Sequence, residues 1–293
     1  MSKQKSTKLF GLFFTLIFCC YSSANAQLVS ATSDLTLFNL QFHADDNNAE
    51  LLWIDDWYGT VTAHAQDTDS GAADDFKELW ANDGTIQARA ETSHVTSIAD
   101  YGVTDGEFVA IDQFGDIFAS TYSTLTLNDP NKQADGFAIS DFDNYFTIIG
   151  GNQGESVDVT FTLDYSGSLH GVADELGLFS VALAGLLELY DDNGNLLDFD
   201  IIRDPSKFDP NDPNNPNNLP IYSGHDNETM PLNEFYADAL VVSATLAYEQ
   251  VYWLYAEADS EVYGATSIPE PESMFLLSLG ISLMLIRKRF INK

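Results

Sequence analysis

The side chains best suited to chemistry in this chain are oxygen donors. Asp191, Asp192, Asn193 and Asn195 fall within five residues, and carboxylate and amide oxygens are the ligands that a hard cation such as Ca²⁺ prefers. An EF-type loop counted from Asp191 would need a carboxylate at its last position, where the chain has Ile202, so that loop type is excluded. The same residues are turn formers that bond their own backbone, and both readings stay open. A second oxygen-rich run, Asp204 to Pro220, contains Asp209, Asn211 and Asp212 together with five of the nine prolines. Proline fixes the backbone and removes a donor, so this run is an extended loop, either a surface linker or a Ca²⁺ loop.

Catalytic signatures are absent. There is no G-x-S-x-G elbow, HExxH pair or glycine-rich phosphate loop. The five histidines (His43, His64, His94, His170 and His225) are scattered, none with a second histidine at metal-ligand spacing. With 45 acidic residues, an apparent glycosidase pair occurs everywhere and decides nothing. Aromatic residues offer a binding chemistry instead: Trp53, Trp57, Tyr58 and Trp80 precede residue 81, and Tyr248, Tyr252, Trp253 and Tyr255 cluster near the end. Such rings stack on sugars when exposed and fill the core otherwise. Trp57 and Tyr58 follow Asp55 and Asp56 at a turn, and with Trp253 they are the candidate carbohydrate-binding residues.

Positioning these groups falls to β-strands. Val157, Val159, Phe161, Leu163 and Tyr165 alternate with Asp158, Thr160, Thr162, Asp164 and Ser166, the period-two pattern of a half-buried strand. Similar runs occur at Leu35 to Phe42, Thr60 to Ala65, Thr85 to Ala90, Phe108 to Ile111, Tyr122 to Leu127, Phe137 to Ile149, Gly185 to Tyr190, Leu196 to Ile202, Leu240 to Leu246 and Val251 to Tyr263. Only Asp74 to Trp80 and Ala173 to Leu178 read as helix, both short. Many strands without helical crossovers predict an all-β fold, an antiparallel β-sandwich or jelly roll. Around Asn193-Gly194 the pattern predicts a hairpin. A two-residue loop would set Glu188 opposite Phe199, whereas a three-residue loop with Gly194 left-handed pairs Leu187 with Phe199 and Leu189 with Leu197. Register decides which face is buried, so the three-residue form is expected.

The two ends have a different character. Lys3, Lys5 and Lys8 precede an apolar run from Leu9 to Cys20, and Ala24 and Ala26 place small residues before a cut; this is the form of a secretory signal peptide, residues 1–26. That run, about 18 Å as a helix, is shorter than a membrane span needs. Signal peptidase and the secretion machinery are the expected partners. At the other end Pro269-Glu270-Pro271 leads into an apolar stretch, Met274 to Ile286, and then Arg287-Lys288-Arg289. Positive charge stays on the cytoplasmic side, which places the body outside. This stretch predicts one short transmembrane helix, about 20 Å long against about 30 Å of hydrocarbon. The triplet, apolar stretch and basic cluster resemble the PEP-CTERM sorting domain, over about residues 268–290. The resemblance implies recognition by an exosortase-type membrane protease, which removes the tail and sorts the body towards the surface or an exopolysaccharide matrix. The organisation expected is therefore a signal peptide, a body over 27–266 of one or two units, and a sorting and membrane segment over 267–293.

Charge and cysteine usage bound the body's role. Three of the twelve basic residues lie in the signal and four in the tail, which leaves five against 43 acidic residues, a formal charge of −38. Such a surface excludes nucleic acid and direct contact with an anionic membrane. It keeps the protein soluble in salty water, or it binds cations. Both cysteines, Cys19 and Cys20, lie in the signal, so no disulfide can hold the body and a full hydrophobic core must. These features predict an exported, non-enzymatic structural protein of the surface or biofilm matrix of a Gram-negative bacterium, membrane-anchored only transiently. A carbohydrate-binding module is the alternative, and a polysaccharide-active enzyme a more distant one, with extracellular polysaccharide as partner.

Overall fold

The computed structural model describes residues 28–81, 83–103, 117–174, 177–202, 223–228 and 230–266, without the side chains of 223–227. The expected signal peptide, the sorting tail, the strand at Phe108 to Ile111 and the loop at Asp204 to Pro220 lie outside these residues. Among the described residues there are fourteen strands: β1 (Val29–Ala44), β2 (Glu50–Trp53), β3 (Tyr58–Asp67), β4 (Gly71–Trp80), β5 (Gly84–Glu91), β6 (Val95–Val103), β7 (Ile117–Leu127), β8 (Gln133–Ile149), β9 (Ser156–Ala173), β10 (Gly177–Asp191), β11 (Leu196–Ile201), β12 (Ser223–Glu228), β13 (Leu232–Ala247) and β14 (Val251–Thr266). Among the described residues there is no helix, and none long and apolar enough to cross a membrane.

Alternating side chains build two antiparallel sheets that share one core. Sheet I runs β13-β9-β1-β7-β6-β5, and sheet II runs β11-β10-β14-β8-β3-β4, with β12 also on β10 and β2 also on β8. They stack in parallel order: β1 lies over β10 and β14, β7 over β14 and β8, β6 over β8 and β3. This is the layered arrangement of a β-sandwich. Between the sheets lie Leu35, Leu37 and Phe161 from one side and Phe142, Phe146 and Phe179 from the other, all at most 1 % exposed. Glycine is required where rings cross the interface: a Cβ on Gly59 would stand 2.3 Å from the Tyr101 ring, and one on Gly171 2.0 Å from Phe179. Buried serines stitch the layers, with Ser140 Oγ donating to Asp100 O at 2.8 Å and Ser123 Oγ to Ser260 O at 3.1 Å. In β1 a bulge at Asn39, left-handed at φ 56°, shifts the register between Phe38 and Gln41 and returns Leu40 and Phe42 to the core.

Three local expectations need correction. Asp74 to Trp80 is strand β4, paired along its length with β3; the sheet edge supplies backbone partners that outweigh a weak helical preference. Ala173 to Leu178 contains the end of β9 and the start of β10. The hairpin does have a three-residue loop, with Gly194 at φ 78° and the Asp191 N–H bonded to Asn195 O at 3.0 Å. A bulge beneath it shifts the ladder, however, so that Glu188 faces Phe199 and Leu189 faces Asp198.

That register follows from the sandwich's open sides. Asp198 accepts the Ser243 N–H at 2.7 Å and Asp200 the Val241 N–H at 3.0 Å, so β11 caps the unpaired edge of β13. On the opposite side Asp75 of β4 accepts the Arg89 N–H at 3.0 Å, while Lys77 bonds the Gln87 carbonyl, capping β5. Edge strands of sheet II thus satisfy edge strands of sheet I with side chains, which blocks pairing with another chain. A leucine at 198 or 200 would bury more apolar area but leave β13 open.

Candidate functional site

The outward residues of sheet II form one aromatic and acidic face. Across its strands the register sets Phe199, Glu188, Tyr255, Asp143, Tyr58 and Trp80 in a single row. Beside it lies Tyr190, Trp253 and Tyr145. Rings stack along the second row, Tyr190 on Trp253 at 4.7 Å and 29°, and Trp253 beside Tyr145 at 6.3 Å and 23°. Tyr58 packs on Trp80 at 4.3 Å, and Trp80 is 61 % exposed, the most open tryptophan surface on the face.

Carboxylates alternate with these rings. Glu188 accepts from Tyr190 Oη and Glu257 from Tyr255 Oη, each at 2.5 Å, and Asp141 accepts from Thr60 Oγ1 at 2.5 Å. Burial, with Glu257 and Asp143 nearby, pushes Asp141 up to about 6 against the pull of the Thr60 bond. Asp143 is raised by burial as well; its contact with the Trp253 indole, which forms no full hydrogen bond, pulls the other way. Asp259 is only 7 % exposed and its Oδ1 has no hydrogen-bond partner. Burial, then Glu261 and Glu257, push it up to about 8, so it is protonated at neutral pH. Burial and the neighbouring Glu188 lift Tyr190 to about 12.

Further along the face, Asp135, Phe137, Ser180, Ala182, Glu261 and Tyr263 line a shallow depression of ≈ 260 Å³. Beside it His64 stacks on Phe137 at 5.0 Å and bonds Asp74 at 2.6 Å through Nδ1. The chemistry of this face is that of an open surface. Rings stack on apolar sugar faces, carboxylates and hydroxyls bond hydroxyl or ammonium groups, and nothing encloses a reacting bond.

The residues singled out from the sequence fall apart into three groups. Tyr58 and Trp253 stand together on this face, in neighbouring rows. Trp57 does not: it is 1 % exposed, packed on Trp53 at 4.4 Å and Phe142 at 5.7 Å, and its ring is core. It belongs to the opposite side of the chain from Tyr58, as alternation requires. Asp191, Asp192, Asn193 and Asn195 sit at the β10–β11 turn, at the margin of the face. Both oxygens of Asp191 hold the turn itself, accepting the Asn193 and Asn195 N–H groups at 2.9 and 2.8 Å and the Asn195 amide at 2.8 Å; these bonds hold its carboxyl below the ordinary range, the Asn195 side chain foremost. Asp192 accepts from the Asn193 amide at 2.6 Å. Among the described residues no group of three acidic, histidine or cysteine side chains is arranged to hold a metal ion. Asp209, Asn211, Asp212, Ala24, Ala26, Pro269, Glu270, Pro271, Arg287, Lys288 and Arg289 lie outside the described residues.

Tyr145, Tyr190, Asp141, Asp143 and Glu257 escaped the reading of the sequence. Within β14 the signal is visible: Trp253, Tyr255 and Glu257 share odd numbers, while Tyr252, Leu254 and Ala256 are buried. What assembles the face is cross-strand register, which no single strand encodes. Comparison with known protein families, curated proteins and solved structures finds no match to this chain.

Proposed function

We propose that this chain is an exported β-sandwich of the cell surface or extracellular matrix that associates with polysaccharide through the outer face of sheet II. The observation carrying the binding reading is the row of Tyr190, Trp253 and Tyr145 beside the Tyr58–Trp80 pair, all on one face among hydroxyls and carboxylates. A monomer keeps large aromatic surface in the open when a partner covers it, and flat rings beside hydrogen-bonding groups suit an extended sugar chain. Export is supported by the apolar run and small residues of the N-terminal segment, and sorting by Pro269-Glu270-Pro271 with Arg287-Lys288-Arg289. In this reading signal peptidase and an exosortase-type protease process the chain, and the body remains as a structural component of a polysaccharide layer.

The test is binding of residues 27–266 to an array of polysaccharides and oligosaccharides. Binding that falls in Trp80→Ala and Trp253→Ala, with unfolding midpoints unchanged, is expected. Absence of binding to every glycan would overturn the polysaccharide reading.

A further inference from the structure

Resting on that reading, we infer that the aromatic face of sheet II is built for a positively charged polysaccharide, a polymer of sugars carrying free amino groups. Phe199, Glu188, Tyr255, Asp143, Tyr58 and Trp80 place a carboxylate between rings on alternate strands. Glu188 and Asp143 are two strands apart, about 10 Å at the usual strand spacing, comparable to a disaccharide repeat. A chain lying across the strands would meet a ring and then a carboxylate, again and again.

Among the described residues no lysine or arginine pairs with these carboxylates. Among the described residues the lysines and arginines are Lys77, Arg89 and Lys132, and each is paired elsewhere: with Asp75, Glu91 and Asp69 respectively. His64, the basic group on the face, lies beside Asp74 in the rows beyond Asp259. The donors reaching Glu188, Glu257, Asp141 and Glu78 are the hydroxyls of Tyr190, Tyr255, Thr60 and Tyr58. Asp259, nine-tenths buried in the same strand, is crowded by Glu257 and Glu261 until it holds a proton, and it keeps an oxygen without any partner. Carboxylates crowded and desolvated in this way are under electrostatic strain that positive charge relieves. The upward shifts of Asp141 and Asp143 by burial are the same strain seen in their protonation.

Among the described residues no three acidic or histidine side chains converge on a point, so the row suits a ligand with distributed charge better than a single divalent ion. The charge therefore arrives spread along the ligand. An ammonium group on a sugar satisfies both halves of the pattern: it bonds a carboxylate as donor and lies favourably against the face of Trp253 or Tyr255. A uronic acid polymer would be repelled by a body of formal charge −38. A neutral glucan would stack on the rings and leave the carboxylates unpaired.

The experiment compares three hexasaccharides of one linkage by calorimetry at pH 6 and low salt: β-1,4-glucosamine, its fully N-acetylated form and β-1,4-glucose. The glucosamine hexamer is expected to bind at least tenfold tighter than the other two, with the advantage shrinking as NaCl is raised. Asp143→Asn with Glu188→Gln should remove the advantage, whereas Asp158→Asn with Asp238→Asn, an equal loss of charge on sheet I, should leave it. Trp253→Ala should weaken all three ligands. If the neutral hexamers bind as tightly as the charged one, the cationic preference is wrong while the glycan face stands. If the sheet I variant loses as much as the sheet II variant, binding is diffuse attraction to a polyanion and the inference fails. If no hexamer binds, the inference fails together with the polysaccharide reading.

Discussion

The two outward faces of this sandwich are made by the same alternation yet differ in substance. On sheet I hydroxyls pair with hydroxyls: Thr32 with Thr124 at 3.0 Å, Thr36 with Ser120 at 3.0 Å, Thr160 with Ser243 at 2.9 Å. Phe38 opposite Phe118, Tyr122, and Phe235 against His170 stand among them. On sheet II the corresponding positions hold stacked rings and desolvated carboxylates. Both faces rest on one core, so folding does not demand the difference. Threonine satisfies a solvated strand face and its own cross-strand neighbours; tryptophan beside a buried aspartate does not improve on it. Sheet I is thus a surface finished by its own hydrogen bonds, whereas the rings and carboxylates of sheet II are what the proposed ligand would complete.

The largest effect expected concerns pH. Asp259 has its folded-state pKa near 8 against an ordinary 3.8, so the folded state holds a proton that the unfolded chain has lost. Its stabilisation is complete below 3.8 and disappears as pH rises towards about 8. Asp141, raised to about 6, adds a loss of the same sign over a narrower window. Asp259→Asn should therefore flatten the decline, gaining roughly 3 kcal/mol over wild type at pH 9 relative to pH 4, by urea unfolding. The figure is about half of what the full shift implies at ~1.4 kcal/mol per unit, because Glu257 and Glu261 share the repulsion.

Next comes the binding contrast. Trp253→Ala should cost about 2 kcal/mol of glycan affinity, roughly thirtyfold, as a central ring in contact with a partner does. Smaller still is the edge. Asp200→Ala should lower stability by about 1 kcal/mol by leaving the Val241 N–H without its acceptor, and sedimentation should detect self-association through the opened β13 strand. Thr36→Val, which breaks one hydroxyl pair on sheet I, should move stability by less than about 0.5 kcal/mol and binding not at all.

How much of this was legible beforehand depended on where each residue's partner lies. Strands with large apolar residues on one side, such as β9 and β14, announce themselves by period alone. In β6 the buried side is Val95, Ser97, Ala99 and Tyr101, and its small members blur the alternation. β4 is charged and mostly exposed, β2 has only four residues, and neither carries enough apolar contrast to read. Trp57 and Tyr58 show the limit sharply: adjacent residues of similar chemistry point to opposite sides, and only the pairing of Tyr58 with Asp143 and Trp80 says which is outside. The hairpin register escaped for a related reason. Asp198 and Asp200 look like solvent residues until β13 is seen to need acceptors. The face itself draws from six strands between Tyr58 and Tyr255, a long-range arrangement that periodicity cannot reach.

The central claim is that ligand meets sheet II and leaves sheet I bare, and oxidative footprinting of the protein bound to the β-1,4-glucosamine hexamer tests it most directly. Tyr58, Trp80, Tyr145 and Trp253 are expected to be protected, with Tyr122 and Phe235 of sheet I reacting as in the free protein. Protection of Tyr122 and Phe235 with Trp80 and Trp253 still reactive would contradict it.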